Sequence, residues 1–296
     1  MRVPVAGRNT GRMRNRTQSP VRLCFAASTL ALLALTGCTN PSSSAGEGAL
    51  YANSQSNLVS LTEVVDKHPD DPQAYNMRGS VLGGAGHQDQ ALADFNKAIS
   101  LDPNYAQAYA NRALVYRDAG KFDLALADYN KAIALDQNYA LAYLGRGQVY
   151  RAQGRALDAL NDFNRAIQMS PGNGQMYYQR GLLYQAQTQH KFAVDDFSTA
   201  LGLIQQQAEP FIARGLSRLA LNDPKAAASD LDDAVTVEPQ NLNAWTSRGL
   251  AYERLGDKEK AAGSYARALN ISKEHDPAKK GFARVGGKAG VTYQPF

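Results

Sequence analysis

The strongest constraint on this chain is a 34-residue repeat that runs without insertion over residues 72–275. With Pro72 as place 1, the eighth place is Gly79, Ala113, Gly147, Gly181, Gly215 and Gly249. The fourth is always aromatic: Tyr75, Tyr109, Tyr143, Tyr177, Phe211 and Trp245. The twentieth and twenty-seventh are Ala in every unit, from Ala91 and Ala98 to Ala261 and Ala268. Phe95, Tyr129, Phe163, Phe197 and Tyr265 fill the twenty-fourth, with Leu231 as the exception. Two antiparallel helices approach closely only where Gly or Ala faces a bulky knob, so each unit reads as a helical hairpin. Such an array grows along one axis, and 296 residues do not then imply two globular domains.

Gly86, Gly120, Gly154 and Gly256 mark the reversal between the two helices, since Gly accepts positive φ; Thr188 and Asn222 stand there in units four and five. Pro103, Pro171 and Pro239 end three of the units, and Gln137, Gln205 and Lys273 occupy the other three places, where a more continuous junction is expected. Unit four is the least regular and is expected to pack most weakly.

In these places the sequence resembles the tetratricopeptide-repeat (TPR) family, as six repeats at 72–105, 106–139, 140–173, 174–207, 208–241 and 242–275. The resemblance implies an all-α, right-handed superhelical solenoid of six helical hairpins. The phase continues beyond both ends. A preceding half-repeat helix is expected at about 56–68, within 56–71, and a capping helix within 276–285, with Asp276 and Pro277 as its cap and first residue. Solenoids need such caps to cover their terminal apolar faces. The tail, 286–296, is expected to be flexible.

The amino-terminal segment obeys different rules. Residues 1–22 carry Arg2, Arg8, Arg12, Arg14, Arg16 and Arg22 and no acid, and residues 23–36 (LCFAASTLALLALT) are almost wholly apolar. That run is shorter than the about 20 residues a bilayer-spanning helix requires, and the whole reads as a secretory leader over 1–37, with Met13 as an alternative start. Leu35, Thr36, Gly37 and Cys38 resemble the lipobox of bacterial lipoproteins, which implies acylation of Cys38 and cleavage before it. Several acyl chains anchor a protein stably. Thr39, in place of Asp, favours the outer membrane over inner-membrane retention, with the protein facing the periplasm. Residues 38–55, too polar to form a core, then serve as a tether.

Without its leader the chain keeps 26 of its 32 basic residues against 27 acidic ones, a formal charge of −1 in place of +5. No basic face remains for nucleic acid. Cys24 lies in the leader, so Cys38 is alone and no intramolecular disulfide forms. His68, His87, His190 and His275 are scattered along the array, and the carboxylates of Asp232 and Asp233 point different ways on a helix and read as solvated. No catalytic, metal-ligating or cofactor-binding motif appears.

Two recurrent sets remain. Arg78, Arg112, Arg146, Arg180, Arg214 and Arg248 hold place 7, and Asp94, Asp128, Asp162, Asp196 and Asp230 hold place 23, with Ser264 breaking the series. These form a structural ladder, paired either within a repeat, which leaves Arg248 over, or with the following repeat, which leaves Arg78 over. The TPR resemblance also implies a concave groove lined by the first helix of each repeat. Its candidates are Gln107, Asn111, Leu114 and Arg117 in repeat two, then Leu144, Gln148 and Arg151 in repeat three. Repeats four and five add Tyr178, Gln179, Leu182, Ile212 and Leu216. Amides, arginines and apolar residues in one stripe suit a protein or peptide partner. The expected function is therefore a non-catalytic interaction scaffold, a lipid-anchored periplasmic adaptor recruiting envelope proteins. The alternatives are a pilotin-like assembly factor for secretins or pili, or an accessory subunit of a polysaccharide or peptidoglycan synthesis complex.

Overall fold

The structure is a computed structural model that describes residues 55–204, 206–288, 291 and 293. The leader, Cys38 and almost all of the tether lie outside those residues, as do most positions of the carboxy-terminal tail. The described part is all helical. It opens with α1 (Gln55–Lys67), followed by six hairpins: α2 (Pro72–Gly84) with α3 (Gln88–Leu101), α4 (Ala106–Asp118) with α5 (Phe122–Leu135), and α6 (Ala140–Ala152) with α7 (Ala156–Met169). Next come α8 (Gly174–Ala186) with α9 (His190–Leu203), α10 (Ala208–Ala220) with α11 (Pro224–Val237), and α12 (Leu242–Leu255) with α13 (Lys258–Ile271). The last helix is α14 (Asp276–Arg284). Its capping residue is His275, one residue before the expected Asp276.

Each hairpin closes the same way. At the end of the first helix, a backbone N–H two or three residues beyond the helix donates to the carbonyl five residues before it, as in His87 N to Leu82 O (2.9 Å) and Lys121 N to Tyr116 O (2.8 Å). The residue before that donor is left-handed, with φ of 82° at Gly86 and 74° at Gly154. Thr188 (φ 58°) and Asn222 (φ 60°) are held in the same conformation. For a β-branched residue this is strained by roughly 1–2 kcal/mol. Gln206 (φ 63°), in the next junction, is a second non-glycine left-handed residue of repeat four.

The junctions between hairpins correct one expectation. The proline-free junction after α5 is as sharp a break as the one at Pro103. In both, an aspartate makes the turn: Asp102 Oδ1 accepts from Asn104 N, and Asp136 Oδ1 accepts from Asn138 N, each at 2.9 Å. Local side-chain capping, rather than proline, stops the helix.

Within each hairpin the small eighth residue receives the ring of the twenty-fourth. A Cβ added at Gly79, Gly147 or Gly181 would stand 2.9, 2.7 or 2.6 Å from the ring of Phe95, Phe163 or Phe197. Gly215 faces Leu231 more loosely, at 3.0 Å. The two tyrosines of this series make a further demand, since their rings also press on Gly145 and Gly281, at place 6 of the next unit. Where place 24 is Phe or Leu, that next place 6 is Asn111, Gln179, Ala213 or Ser247. A tyrosine is longer by one hydroxyl, and only glycine leaves room for it.

Successive first helices also touch one another (α2 with α4, α4 with α6, and so on to α12 with α14), whereas no two successive second helices do so among the described residues. The first helices are thus crowded together, and they form the inner side of the array's curve. No helix among the described residues is long and apolar enough to cross a membrane.

Candidate functional site: the inner face and the arginine ladder

The ladder is paired within repeats. Arg78, Arg112, Arg146 and Arg180 each clasp the aspartate 16 residues on (Asp94, Asp128, Asp162, Asp196) through Nε and Nη2, at 2.7–2.8 Å. Arg214 holds Asp230 likewise, with Nη2 at 2.7 Å, and Arg218 joins the same carboxylate at 2.8 Å. The hydrogen bond to aspartate, above all, raises the pKa of the first four arginines. The aspartate side chains are exposed by 10% or less, so these are buried, bidentate pairs. Each guanidinium also lies 5.5–5.9 Å from the aromatic ring at place 4, which accounts for that ring.

Sequence reasoning missed the other half of the ladder. In four of the arginines the free Nη1 reaches back 16 residues to the preceding second helix: Arg112 to Asn96 (2.5 Å), Arg146 to Asn130 (2.7 Å), Arg180 to Asn164 (2.7 Å) and Arg214 to Ser198 (3.1 Å). These four arginines therefore stitch their own hairpins to the preceding ones.

Arg248 does not lack a partner, contrary to the within-repeat expectation. Its own place 23 is Ser264, which accepts from Nη1 at 2.7 Å, while Nε donates to Asp232 at 2.6 Å. Asp232 occupies the place of Asn96, so the acid has moved to the other rung and the charge is conserved. It also accepts from the Tyr252 hydroxyl at 2.8 Å. Asp232 is thus a ladder residue, although its side chain remains 43% exposed. The recurrence of amides and hydroxyls at that place every 34 residues was the available signal.

The inner face carries the proposed groove. Gln107 and Leu216 are exposed on it, and Asn111, Leu114, Arg117, Arg151, Tyr178, Leu182 and Ile212 are half-buried. Leu144, Gln148 and Gln179, expected to line the groove, are buried at 3%, 8% and 8% exposure. They sit between adjacent first helices, which the crowding of those helices closes over. Most polar groups here bridge neighbours. Asn111 Nδ2 donates to Asn76 Oδ1 (2.9 Å) and Ser80 Oγ (3.2 Å), Arg117 to Gln148 and to Asp118 Oδ1, and Gln185 Nε2 to Ser217 Oγ (2.9 Å).

Arg151 differs from every ladder arginine. Its Nη2 donates to Gln179 Oε1 at 3.2 Å, its buried Nε has no acceptor, and no carboxylate pairs with it among the described residues. Burial lowers its pKa, with the charge of Arg117 adding to the effect.

Further along, a concavity of about 340 Å³ opens between α12 and α14, lined by Thr246, Ser247, Leu250, Tyr265, Asp276, Pro277, Lys280 and Arg284. Beside it Glu253 accepts from the Tyr265 hydroxyl (2.7 Å) and from Arg284 (2.8 and 2.9 Å). Arg284, first of all, lowers the Glu253 pKa, and burial raises that of Tyr265. Among the described residues no cluster of His, Cys, Asp and Glu is placed to hold a metal.

Two family profiles match the sequence: "TPR repeat" at residues 84–118 and 113–154, and "Tetratricopeptide repeat" at 144–206 and 212–277. No curated protein matches it. Among solved structures, a chain of the APC/C hetero-tetramer Cut9–Hcn1 aligns with a TM-score of 0.70 at 20% identity over 79% of this chain and 46% of its own, so this chain spans less than half of that one. A Pseudomonas aeruginosa protein, PilF, aligns at TM-score 0.65 and 21% identity over 72% and 97% of the two chains. YrrB, described as a TPR protein with an unusual peptide-binding site, aligns at TM-score 0.53 and 27% identity over 63% and 96%.

Proposed function

This chain belongs to the tetratricopeptide-repeat family, and from that premise we propose that it is a non-catalytic scaffold that binds protein segments along its inner face while a lipid on Cys38 holds it to the outer membrane. The fold itself is one that serves protein interaction. One observation carries the binding surface: the inner face between α4 and α10 combines exposed or half-buried apolar side chains (Leu114, Tyr178, Leu182, Ile212, Leu216) with an arginine whose Nε is unused. A solvated face would not keep such a group half-buried. The likeness to YrrB, whose peptide-binding site is its stated feature, supports a peptide as the occupant. The anchor rests on the leader and on the residues around Cys38, and the envelope partners follow from that address.

The test has two arms. Mass spectrometry of the mature amino terminus should find acylated Cys38; an unmodified or internal start removes the membrane from the proposal. Photo-crosslinkers placed at Leu114 and Leu216 in the full chain should capture envelope proteins. Cell-wall hydrolases or proteases would support the adaptor, whereas secretins or synthesis enzymes would replace it with the assembly or accessory role. Crosslinks made equally from an exposed position on the second helices, such as Leu157, would defeat the inner face as the binding surface.

A further inference from the structure

We propose that the two ends of the array fit one another, so that copies of this chain join head to tail, with α14 of one copy and α1 of the next forming a seventh hairpin. The partner is a second copy of the chain, whatever the inner face binds.

The 34-residue places show what each end lacks. α14 occupies places 1–9, those of a first helix, and no second helix follows it among the described residues. α1 runs from place 18 to place 30, those of a second helix, and among the described residues it packs on α2 alone. The alanines at places 20 and 27 are buried in all six repeats, whereas Asn57 and Val64, which hold those places on α1, are exposed, Val64 by 40%. On α14 the small residue at place 8, Ala283, is exposed too, although that place is buried in every repeat. Each copy thus begins with one half of a hairpin and ends with the other, in a single register.

The complete hairpins show which places meet. Place 8 receives place 24, so Ala283 would meet Leu61, much as Gly215 meets Leu231. Place 1 meets place 30, since a Cβ added at Gly174 would stand 2.9 Å from Leu203 Cβ; in the joint these are Asp276 and Lys67. Place 4 meets place 26, with Lys97 5.9 Å from the Tyr75 ring and Lys131 5.9 Å from that of Tyr109; in the joint these are Lys279 and Glu63. Both new pairs are of opposite charge, which fixes orientation and register. In the single chain Lys67 has only Glu63 at 3.9 Å, and Lys279 only the exposed Glu274 at 2.6 Å. The ladder stops on both sides together, with Phe282 at place 7 and Ser60 at place 23, so the joint buries no lone charge. Tyr293, edge-on to Phe282 at 5.7 Å, covers part of the seat and has to leave it, which makes the joint weaker than an internal seam. Two different surfaces meet, so the contact extends into chains or closes as a ring and does not stop at a two-fold dimer.

Disulfide trapping of the full chain in detergent-solubilised membranes, read on non-reducing gels above the wild-type background, tests the joint. Leu61→Cys and Ala283→Cys on separate, co-expressed copies should crosslink as a dimer, and neither should do so alone. Both substitutions on one copy should give a ladder of dimer, trimer and longer species. In that background Glu63→Lys should cut the trapped fraction about 5-fold, and adding Lys279→Glu should restore it. Tyr293→Ala, which uncovers Phe282, should raise it. Circular dichroism checks that each variant keeps its helicity. Should Leu61→Cys lose it, Val64→Cys with Asp276→Cys carries the same comparison, because places 27 and 1 also meet: a Cβ at Gly174 would stand 3.0 Å from Ala200 O. Trapping by Ala283→Cys alone would mean a two-fold contact and overturn the inference. So would a mixed pair that traps no more than the wild type, or a ladder indifferent to Glu63→Lys.

Discussion

The arginines at place 7 and at place 12 lie five residues apart on the same helices, about 140° around the axis, and that rotation separates two physical regimes. Place 7 faces the seam between hairpins. There five of the six arginines are bidentate to aspartate, all six lie near an aromatic ring, and those from Arg112 onward are tied back to the preceding repeat. Place 12 faces the inner curve, where the series runs Gly83, Arg117, Arg151, Gln185, Leu219, Glu253, and no carboxylate among the described residues answers Arg151. Recurrence marks the structural row, because each seam poses the same problem. Irregularity marks the inner row, which is free to differ from repeat to repeat.

The comparison is broken most severely at Asp230. Removing its carboxylate (Asp230→Ala) strands Arg214 and Arg218 in a seam where the aspartate side chain is 2% exposed, and should cost about 3–5 kcal/mol in denaturant unfolding. A loss below about 1 kcal/mol would show the ladder to be ornamental. The relocated rung is the next test. Asp232→Asn should destabilise by about 1–3 kcal/mol, and adding Ser264→Asp should recover much of it by restoring the pairing seen in the other five repeats. A double variant no better than the single would mean that Arg248 is held by Asp232 for another reason. Arg151→Met should behave oppositely to the ladder changes, shifting stability by less than about 1 kcal/mol and in the stabilising direction if at all, since it removes a half-buried charge with no counterion among the described residues. Clear destabilisation would place Arg151 with the ladder.

The smallest effect concerns Glu253, the acid of the inner row. Arg284 depresses its folded pKa, so its contribution is present above the unfolded carboxylate range and lost as pH falls through the folded value. Melting temperature should therefore decline in acid less steeply for Glu253→Gln than for the wild type. Equal slopes would show that the Tyr265–Glu253–Arg284 contact does not hold α14 in place.

Much of this was legible in the residues. The period, the glycine–ring contacts and the existence of an Arg–Asp ladder all follow from side chains that must recur wherever the backbone recurs. Thr188 in a left-handed turn was also readable, because the closing hydrogen bond of the hairpin is the same in every unit and overrides the preference of the residue. The pairing of Tyr129 with Gly145 and of Tyr265 with Gly281 was written in the sequence too, 16 residues apart, yet it acquires meaning only once two hairpins are seen in contact.

The sequence by itself determined that helices of this length alternate in a 34-residue period and that small and large residues meet inside each hairpin, because those are local demands of helix geometry and volume. Only the tertiary structure decided which partner each ladder arginine takes, that Leu144, Gln148 and Gln179 are covered, and that Arg151 has no carboxylate partner among the described residues. Those outcomes depend on how tightly successive first helices crowd along the inner curve, a distance set by the summed packing of every neighbouring pair and not by any single residue.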